Sequence, residues 1–254
     1  MSDSVVRVGL VYPELLGTYG DRGNAVVLVE RCRRRGIAAE LVEVDAGAPI
    51  PATLDVYLFG GGEDDAQVMA AAGMRASAAA IATARDGGAV LFAVCAGYQL
   101  LGTSYTANDG EVLDGLGVVD LHTRPGDGRL IGECVVEPAA DSGLPTLTGF
   151  ENHGGRTTLG PGVEPLGRVS VGHGNGVAGV DGVLGDRVLG TYLHGPVLPR
   201  NPALADHLLA GVVGSGALSP LDDRPVERLR AERLTEAGLT GLAARRRDWR
   251  LNRG

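Results

Sequence analysis

The run Ala93-Val94-Cys95-Ala96-Gly97 sets a cysteine at the end of an apolar stretch, with a small residue two positions to either side. This is the pattern of a strand-to-helix elbow, a turn so tight that only small flanking residues escape collision with the backbone while the central side chain is pushed outward. The spacing therefore predicts that Cys95 is a presented thiol and not a small buried hydrophobe, the commoner fate of a lone cysteine. A free thiol titrates near pH 8.5, and a helix start or a nearby imidazolium lowers that value. The expectation is an open, ionised Cys95 at the head of a helix.

Such a nucleophile needs a base and a place for negative charge. Of the five histidines, His122, His153, His173, His194 and His207, His194 follows a β-forming run, Leu189 to Leu193, and opens a Gly-Pro loop, so it belongs at a strand end. His194 is the first candidate for the base and His153 the second. An acyl oxyanion would be met by backbone donors. The elbow supplies the N–H of Ala96, and the triple glycine Gly60-Gly61-Gly62, ending another apolar run, can expose the N–H of Gly61 at close range. The same glycines also suit a plain tight turn or a phosphate loop.

The elements that would carry these residues alternate. Val5 to Tyr12 reads as a strand, Arg22 to Arg35 as a helix closed by Gly36, Ala38 to Val44 and Leu54 to Phe59 as strands. Asp64 to Arg85 is helical, Ala89 to Val94 a strand and Ala96 to Leu101 a helix. Short loops between them predict an α/β fold with a doubly wound, mostly parallel sheet, whose ligands lie beyond the carboxyl ends of the strands. The second half changes character. Val118 to His122, Arg129 to Glu137, Thr146 to Glu151, Val169 to His173 and Val177 to Val180 are short and turn-punctuated, as additional mixed or antiparallel strands would be. Val188 to His194 is one more strand, Asn201 to Gly211 a helix. Residues 1–220 are expected to form one domain and 221–254 an appended helical, basic extension.

Composition narrows the chemistry. With 254 residues and 44 % hydrophobic content the chain can bury a sizeable core. It contains no lysine, which excludes the lysine-bearing phosphate loop, Schiff-base catalysis and a Ser-Lys dyad. A net charge of -8 argues against a general nucleic-acid or membrane binder. From Arg224 onward, however, nine arginines face four acids, a solvated helix or a dock for an acidic partner. Three scattered cysteines form neither a disulfide framework nor a zinc motif. Cys134 alternates with apolar neighbours and reads as core, and Cys32 lies in an arginine cluster that suits a helix end. No apolar stretch approaches a membrane span and Met1 to Ser4 is too polar to open a secretory signal, so the reading is cytoplasmic.

Taken together, Phe59-Gly60-Gly61-Gly62, the elbow continued through Tyr98-Gln99-Leu100-Leu101-Gly102, and Leu193-His194-Gly195-Pro196 resemble the class I, triad-type glutamine amidotransferases, which have a flavodoxin-like fold. The segment Gly149-Phe150-Glu151-Asn152-His153-Gly154-Gly155-Arg156-Thr157 is similar to that of the cobyric-acid-synthase-like branch. Within it, Tyr12 to Leu16 and Tyr19-Gly20-Asp21-Arg22-Gly23-Asn24 resemble the opening of the glutaminase subunits of lipid II isoglutaminyl synthases.

The resemblance implies that Cys95 attacks the side-chain amide of L-glutamine, that His194 shuttles the proton, and that water releases glutamate from the thioester. It implies a heterodimer in which ammonia passes to a MurT-like Mur ligase subunit. That partner holds ATP and Mg, none being needed in this chain, and amidates D-glutamate in membrane-bound lipid II. By position Arg129 resembles the family's glutamine-binding arginine, whose fork suits an α-carboxylate. Gln99 is a weaker substrate contact, against the alternative of an exposed polar residue on a helix. One departure stands out: many class I domains continue His-Pro-Glu, whereas this chain reads His194-Gly195-Pro196, without the glutamate that orients the imidazole. Either another carboxylate substitutes or a partner completes the site. Glu151 and His153 fit a substrate wall or an interface. The rival readings are a cysteine hydrolase or peptidase of the same fold, a non-catalytic subunit, and an amidotransferase serving another acceptor such as a corrinoid carboxylate.

Overall fold

The computed structural model describes residues 5–107, 110–236 and 238. Four strands of the first half and two from residues 183–191 build a six-stranded sheet in the order β11-β12-β4-β3-β1-β2. Its strands are β1 (Val6–Val11), β2 (Ala39–Val44), β3 (Val56–Phe59), β4 (Val90–Val94), β11 (Val183–Leu184) and β12 (Val188–Thr191). All pairings are parallel except β11 with β12. Every residue of β3, β4 and β12 is buried, as apolar runs covered on both faces must be. The helices are α1 (Arg22–Arg33), α2 (Asp64–Ala76), α3 (Ala78–Asp86), α4 (Ala96–Leu100), α5 (Val197–Arg200), α6 (Pro202–Val213) and α7 (Arg224–Glu236). The expected helix over 64–85 breaks at Ser77, whose hydroxyl accepts the Ile50 N–H at 3.0 Å. Gly36 takes the left-handed conformation, φ 72°, that ends α1.

A second sheet holds β5 (Ser104–Thr106), β6 (Val112–Asp114), β7 (Leu121–Pro138), β8 (Leu147–Leu159), β9 (Gly167–Val171) and β10 (Val180–Asp181). Here the sequence misleads. The two short strands expected at 118–122 and 129–137 are one long strand, β7, because β8 runs antiparallel along both halves. Pro125-Gly126-Asp127-Gly128, between the two expected strands, is absorbed as a register irregularity between Pro125 and Leu130. The strands β5 and β6 carry no alternation long enough to announce them. The two sheets meet where Phe150 of β8 exchanges both backbone hydrogen bonds with His194.

Arg31 ties the late chain to α1. Its buried guanidinium forks onto Asp206 of α6 at 2.7 Å through both Nε and Nη2, and onto Asp223 at 2.8 and 3.0 Å. Arg35 adds a bond to Asp206 at 2.8 Å and one to the Ser219 carbonyl at 2.7 Å. Removing one partner of a buried pair strands the other charges. Arg31→Met is expected to cost about 3 kcal/mol, the low end for such a loss because the Asp206 side chain is 29 % exposed. Thermal unfolding should register this as a fall in Tm of about 6–12 °C. The helix α7 lies on the domain through Arg230, which donates to the Thr146 carbonyl. Apart from Gly238, the basic run beyond Glu236 lies outside the described residues. Cys32 and Cys134 are both fully buried.

Candidate active site

The strand β4 ends on Cys95, which adopts φ 52° and ψ -109°, a conformation that a non-glycine residue holds only when its surroundings impose it. They do so on both sides. The Cys95 N–H extends the β4–β12 ladder to the Thr191 carbonyl at 2.9 Å, and the Gly97 N–H donates to Gly60 at 3.0 Å. A Cβ at Gly97 would lie 2.5 Å from the Phe59 carbonyl oxygen, so the small residue read from the sequence is a packing necessity.

His194 comes from the neighbouring strand. Thr191 pairs with Val94, and three residues further His194 is pinned by its bonds to Phe150, 2.7 and 3.1 Å. Asp181, fully buried, fixes the approach by accepting Thr191 Oγ1 at 2.5 Å and the Tyr192 N–H at 3.1 Å. The His194 ring lies over Gly61, where a Cβ would fall 2.7 Å from Cε1, and 4.6 Å from the Tyr19 ring, centroid to centroid. The ring is fully buried and neither nitrogen has a hydrogen-bond partner among the described residues. Burial, and then the charge of Arg129, hold its pKa down to about 4.

The thiol departs from expectation. Cys95 is buried, only 6 % exposed. Its pKa is pushed up to about 12, first by burial and then by the Asp21 carboxylate, against the lowering effects of the Ala96 N–H and the Arg129 charge. The helix α4 is barely more than one turn, and its start does not offset the desolvation of the sulfur. The presented, ionised sulfur read from the sequence is thus a covered, protonated one in this state.

The remaining candidates occupy distinct places. Arg129 is exposed at the rim, where Nε donates to Asn152 Oδ1 at 2.9 Å and Nη2 to the Asn152 carbonyl at 3.2 Å and Tyr19 Oη at 3.5 Å. Gln99 is buried, not the exposed helix residue of the alternative. Its oxygen accepts Gln67 Nε2 at 2.7 Å and its nitrogen donates to Tyr192 Oη at 3.0 Å. The N–H of Gly61 donates to Asp21 Oδ2 at 2.7 Å. His153 stacks on Tyr192, 3.7 Å between centroids, with Nδ1 3.0 Å from the Gly155 carbonyl and a pKa lowered to about 3, chiefly by burial. Glu151 accepts the N–H groups of His173 and Gly174 and Nδ1 of His173. Neither it nor Asp181 bonds to His194. Asp21, Tyr19 and Asn152 were assigned no role from sequence, although both segments that hold them stood out there.

The residues 7–202 match the model of the CobB/CobQ-like glutamine amidotransferase domain. The chain belongs to that family. Within it, the chain is 38 % identical over 196 residues to "Lipid II isoglutaminyl synthase (glutamine-hydrolyzing) subunit GatD" of Staphylococcus aureus, covering 76 % of this chain and 79 % of that one. It is 34 % identical over 207 residues to the subunit of the same name from Streptococcus pneumoniae, with 80 % and 79 % covered. A cobyric acid synthase of Sphingopyxis alaskensis is 32 % identical over 184 residues, but only 36 % of that longer protein is matched. Among solved structures, a glutamine amidotransferase superposes with a TM-score of 0.55 at 22 % identity over 81 % of this chain and 98 % of that one, a likeness of fold. Amidotransferase domains of this class generally need no cofactor. Among the described residues no group of three or more His, Cys, Asp or Glu side chains is placed to hold a metal, and no helix is long and apolar enough to cross a membrane.

Proposed function

We propose that this chain is the glutaminase subunit of a lipid II isoglutaminyl synthase, with Cys95 as nucleophile and His194 as its base. What carries the reading is one juxtaposition: a strained cysteine elbow and a buried histidine with both ring nitrogens unpaired, at the ends of adjacent parallel strands, in a chain that resembles GatD subunits along most of its length.

Cys95 Sγ adds to the side-chain carbonyl carbon of L-glutamine while His194 accepts the thiol proton. The N–H groups of Ala96 and Gly61 receive the charge on oxygen, and His194 returns the proton to the leaving nitrogen. Ammonia departs, and a water deprotonated by His194 cleaves the thioester to glutamate. The neutral imidazole favoured by burial is the form able to take that proton. Ammonia is passed to a MurT-like Mur ligase subunit, which holds ATP and Mg and amidates D-glutamate of lipid II on the cytoplasmic face of the membrane, a step of peptidoglycan biosynthesis. The unpaired nitrogens of His194 fit a site whose orienting group comes from that partner, which keeps the glutaminase idle until the two subunits dock. Equal glutamine turnover by the isolated chain and the complex overturns the dyad-plus-partner arrangement. Co-purification with a Mur-ligase-type protein, followed by amidation of a lipid II analogue from glutamine and ATP, tests the assignment as a whole. A complex that amidates only another acceptor refutes it.

Arg129 is assigned to the α-carboxylate of glutamine. Its guanidinium is already oriented by Asn152 at the rim, where substrate enters. A charge-assisted contact of this kind contributes about 1.5–3 kcal/mol and is equal in ground and transition states. Arg129→Ala is therefore expected to raise KM for glutamine about 10- to 100-fold with kcat changed by no more than a few-fold. A fall in kcat at unchanged KM places the arginine elsewhere in the mechanism.

A further inference from the structure

Gly61 has one N–H and one C=O, and the segment ahead of α1 takes both. Thr18 N–H donates to the Gly61 carbonyl at 3.2 Å, and the Gly61 N–H donates to Asp21 Oδ2 at 2.7 Å. Asp21 is 2 % exposed, and its other oxygen accepts Asn24 Nδ2 at 3.2 Å. The segment also lays Tyr19 against the His194 ring and ties the Tyr19 hydroxyl to Asn152 at 2.9 Å. The contact is built into the glycine turn: a Cβ at Gly60 would meet the Leu16 carbonyl oxygen at 2.0 Å, and one at Gly62 the Leu15 carbonyl oxygen at 2.5 Å.

Asp21 holds the N-cap position of α1, the usual reason for an aspartate there, yet its side chain makes no capping bond to the helix backbone. Its acceptor capacity goes to the oxyanion donor instead. One N–H cannot serve a carboxylate and a tetrahedral oxyanion together, and in this buried recess the two negative charges repel. We propose that residues 13–21 form a strap that holds the site in a resting state, with Asp21 seated on the Gly61 N–H, and that turnover requires this carboxylate to withdraw. The inference rests on the reading of Cys95 and Gly61 given above. It also bears on the protonated thiol: burial is the first cause, and of the charged groups that act on Cys95, Asp21 and Glu63 oppose ionisation and Arg129 favours it, so withdrawing Asp21 removes the largest opposing charge.

The test uses the full-length chain without its partner, as Asp21→Asn, which keeps size and polarity, and Asp21→Ala, which also frees the Gly61 N–H. Alkylation of Cys95 by iodoacetamide at pH 7.5, located by mass spectrometry, should be about tenfold faster or more in both variants. Glutaminase activity of the Asp21→Ala chain should rise by a similar factor, toward the roughly 100- to 1000-fold worth of an oxyanion donor. A purely structural aspartate would give lower stability with unchanged or slower alkylation. That result in variants with native circular dichroism overturns the strap. Adding Cys95→Ala to Asp21→Ala separates the two ideas: lost turnover leaves the nucleophile assignment standing whatever Asp21 does, and retained turnover refutes that assignment itself.

Discussion

Cys95→Ala is expected to abolish glutamine-driven amidation, by about 10,000-fold or more, while ammonia-driven amidation by the same complex continues at its normal rate. The reason is a division of labour. In the mechanism proposed above the sulfur and the His194 imidazole act as a unit on glutamine alone, so removing either leaves the synthetase and its acceptor site untouched. His194→Ala should match Cys95→Ala in both assays, because catalytic groups that act together lose nearly everything with the first deletion. Cys95→Ala has little packing cost to confuse the outcome, and the cavity that His194→Ala leaves in place of a fully buried ring is controlled by the ammonia-driven rate. Alanine at 95 loses one sulfur atom from a covered site, and the deleted imidazole had no hydrogen-bonded nitrogen to strand a partner. The measurement is a paired one, product formation from glutamine and from ammonium chloride. If both fall together, the substitutions have damaged assembly and the active-site assignment is unsupported by them.

Much of the frame that positions these groups was legible. The strand runs around residues 6–11, 56–59 and 90–94 show as largely apolar segments because the middle of a parallel sheet is covered on both faces, whereas the edge strand at 39–44 mixes apolar residues with the exposed Glu40 and Glu43. The elbow was legible for a related reason: Gly97 can be nothing larger against the Phe59 carbonyl, and such steric demands leave their mark in sequence. What stayed hidden was pairing between distant segments. Nothing local in Pro125-Gly126-Asp127-Gly128 reveals that β8 will run past it on both sides. Equally, the presented thiol was inferred from the elbow alone, whereas its ionisation is decided by what lies over it. Burial is the first cause, and the charge of Asp21, more than seventy positions earlier, adds to it and outweighs the Ala96 N–H at the start of a short helix. Tyr19 to Asn24 stood out as a motif without a role, since its partners, Gly61, His194 and Leu198, are known only once the chain is folded.

Gly61→Ala tests the position of the imidazole without removing any catalytic group. The new Cβ would lie 2.7 Å from Cε1 of His194, 3.4 Å from Cδ2 of Tyr19 and 3.5 Å from Oδ2 of Asp21, all side-chain atoms and none of them backbone. The backbone therefore need not move, and Tm should change by no more than about 3 °C, the shift that roughly 1 kcal/mol produces in a domain of this size. The imidazole, however, must give way by close to an ångström, in a site where proton transfer tolerates little displacement. A misplacement on that scale costs about 100-fold in rate. The expected result is thus a folded, soluble chain with glutaminase activity down about 100-fold and kcat bearing the loss, since Arg129, proposed above to bind the substrate, is left in place at the rim. Its ammonia-driven amidation in the complex stays normal. Full glutaminase activity in Gly61→Ala would mean that the imidazole works from somewhere other than above this glycine.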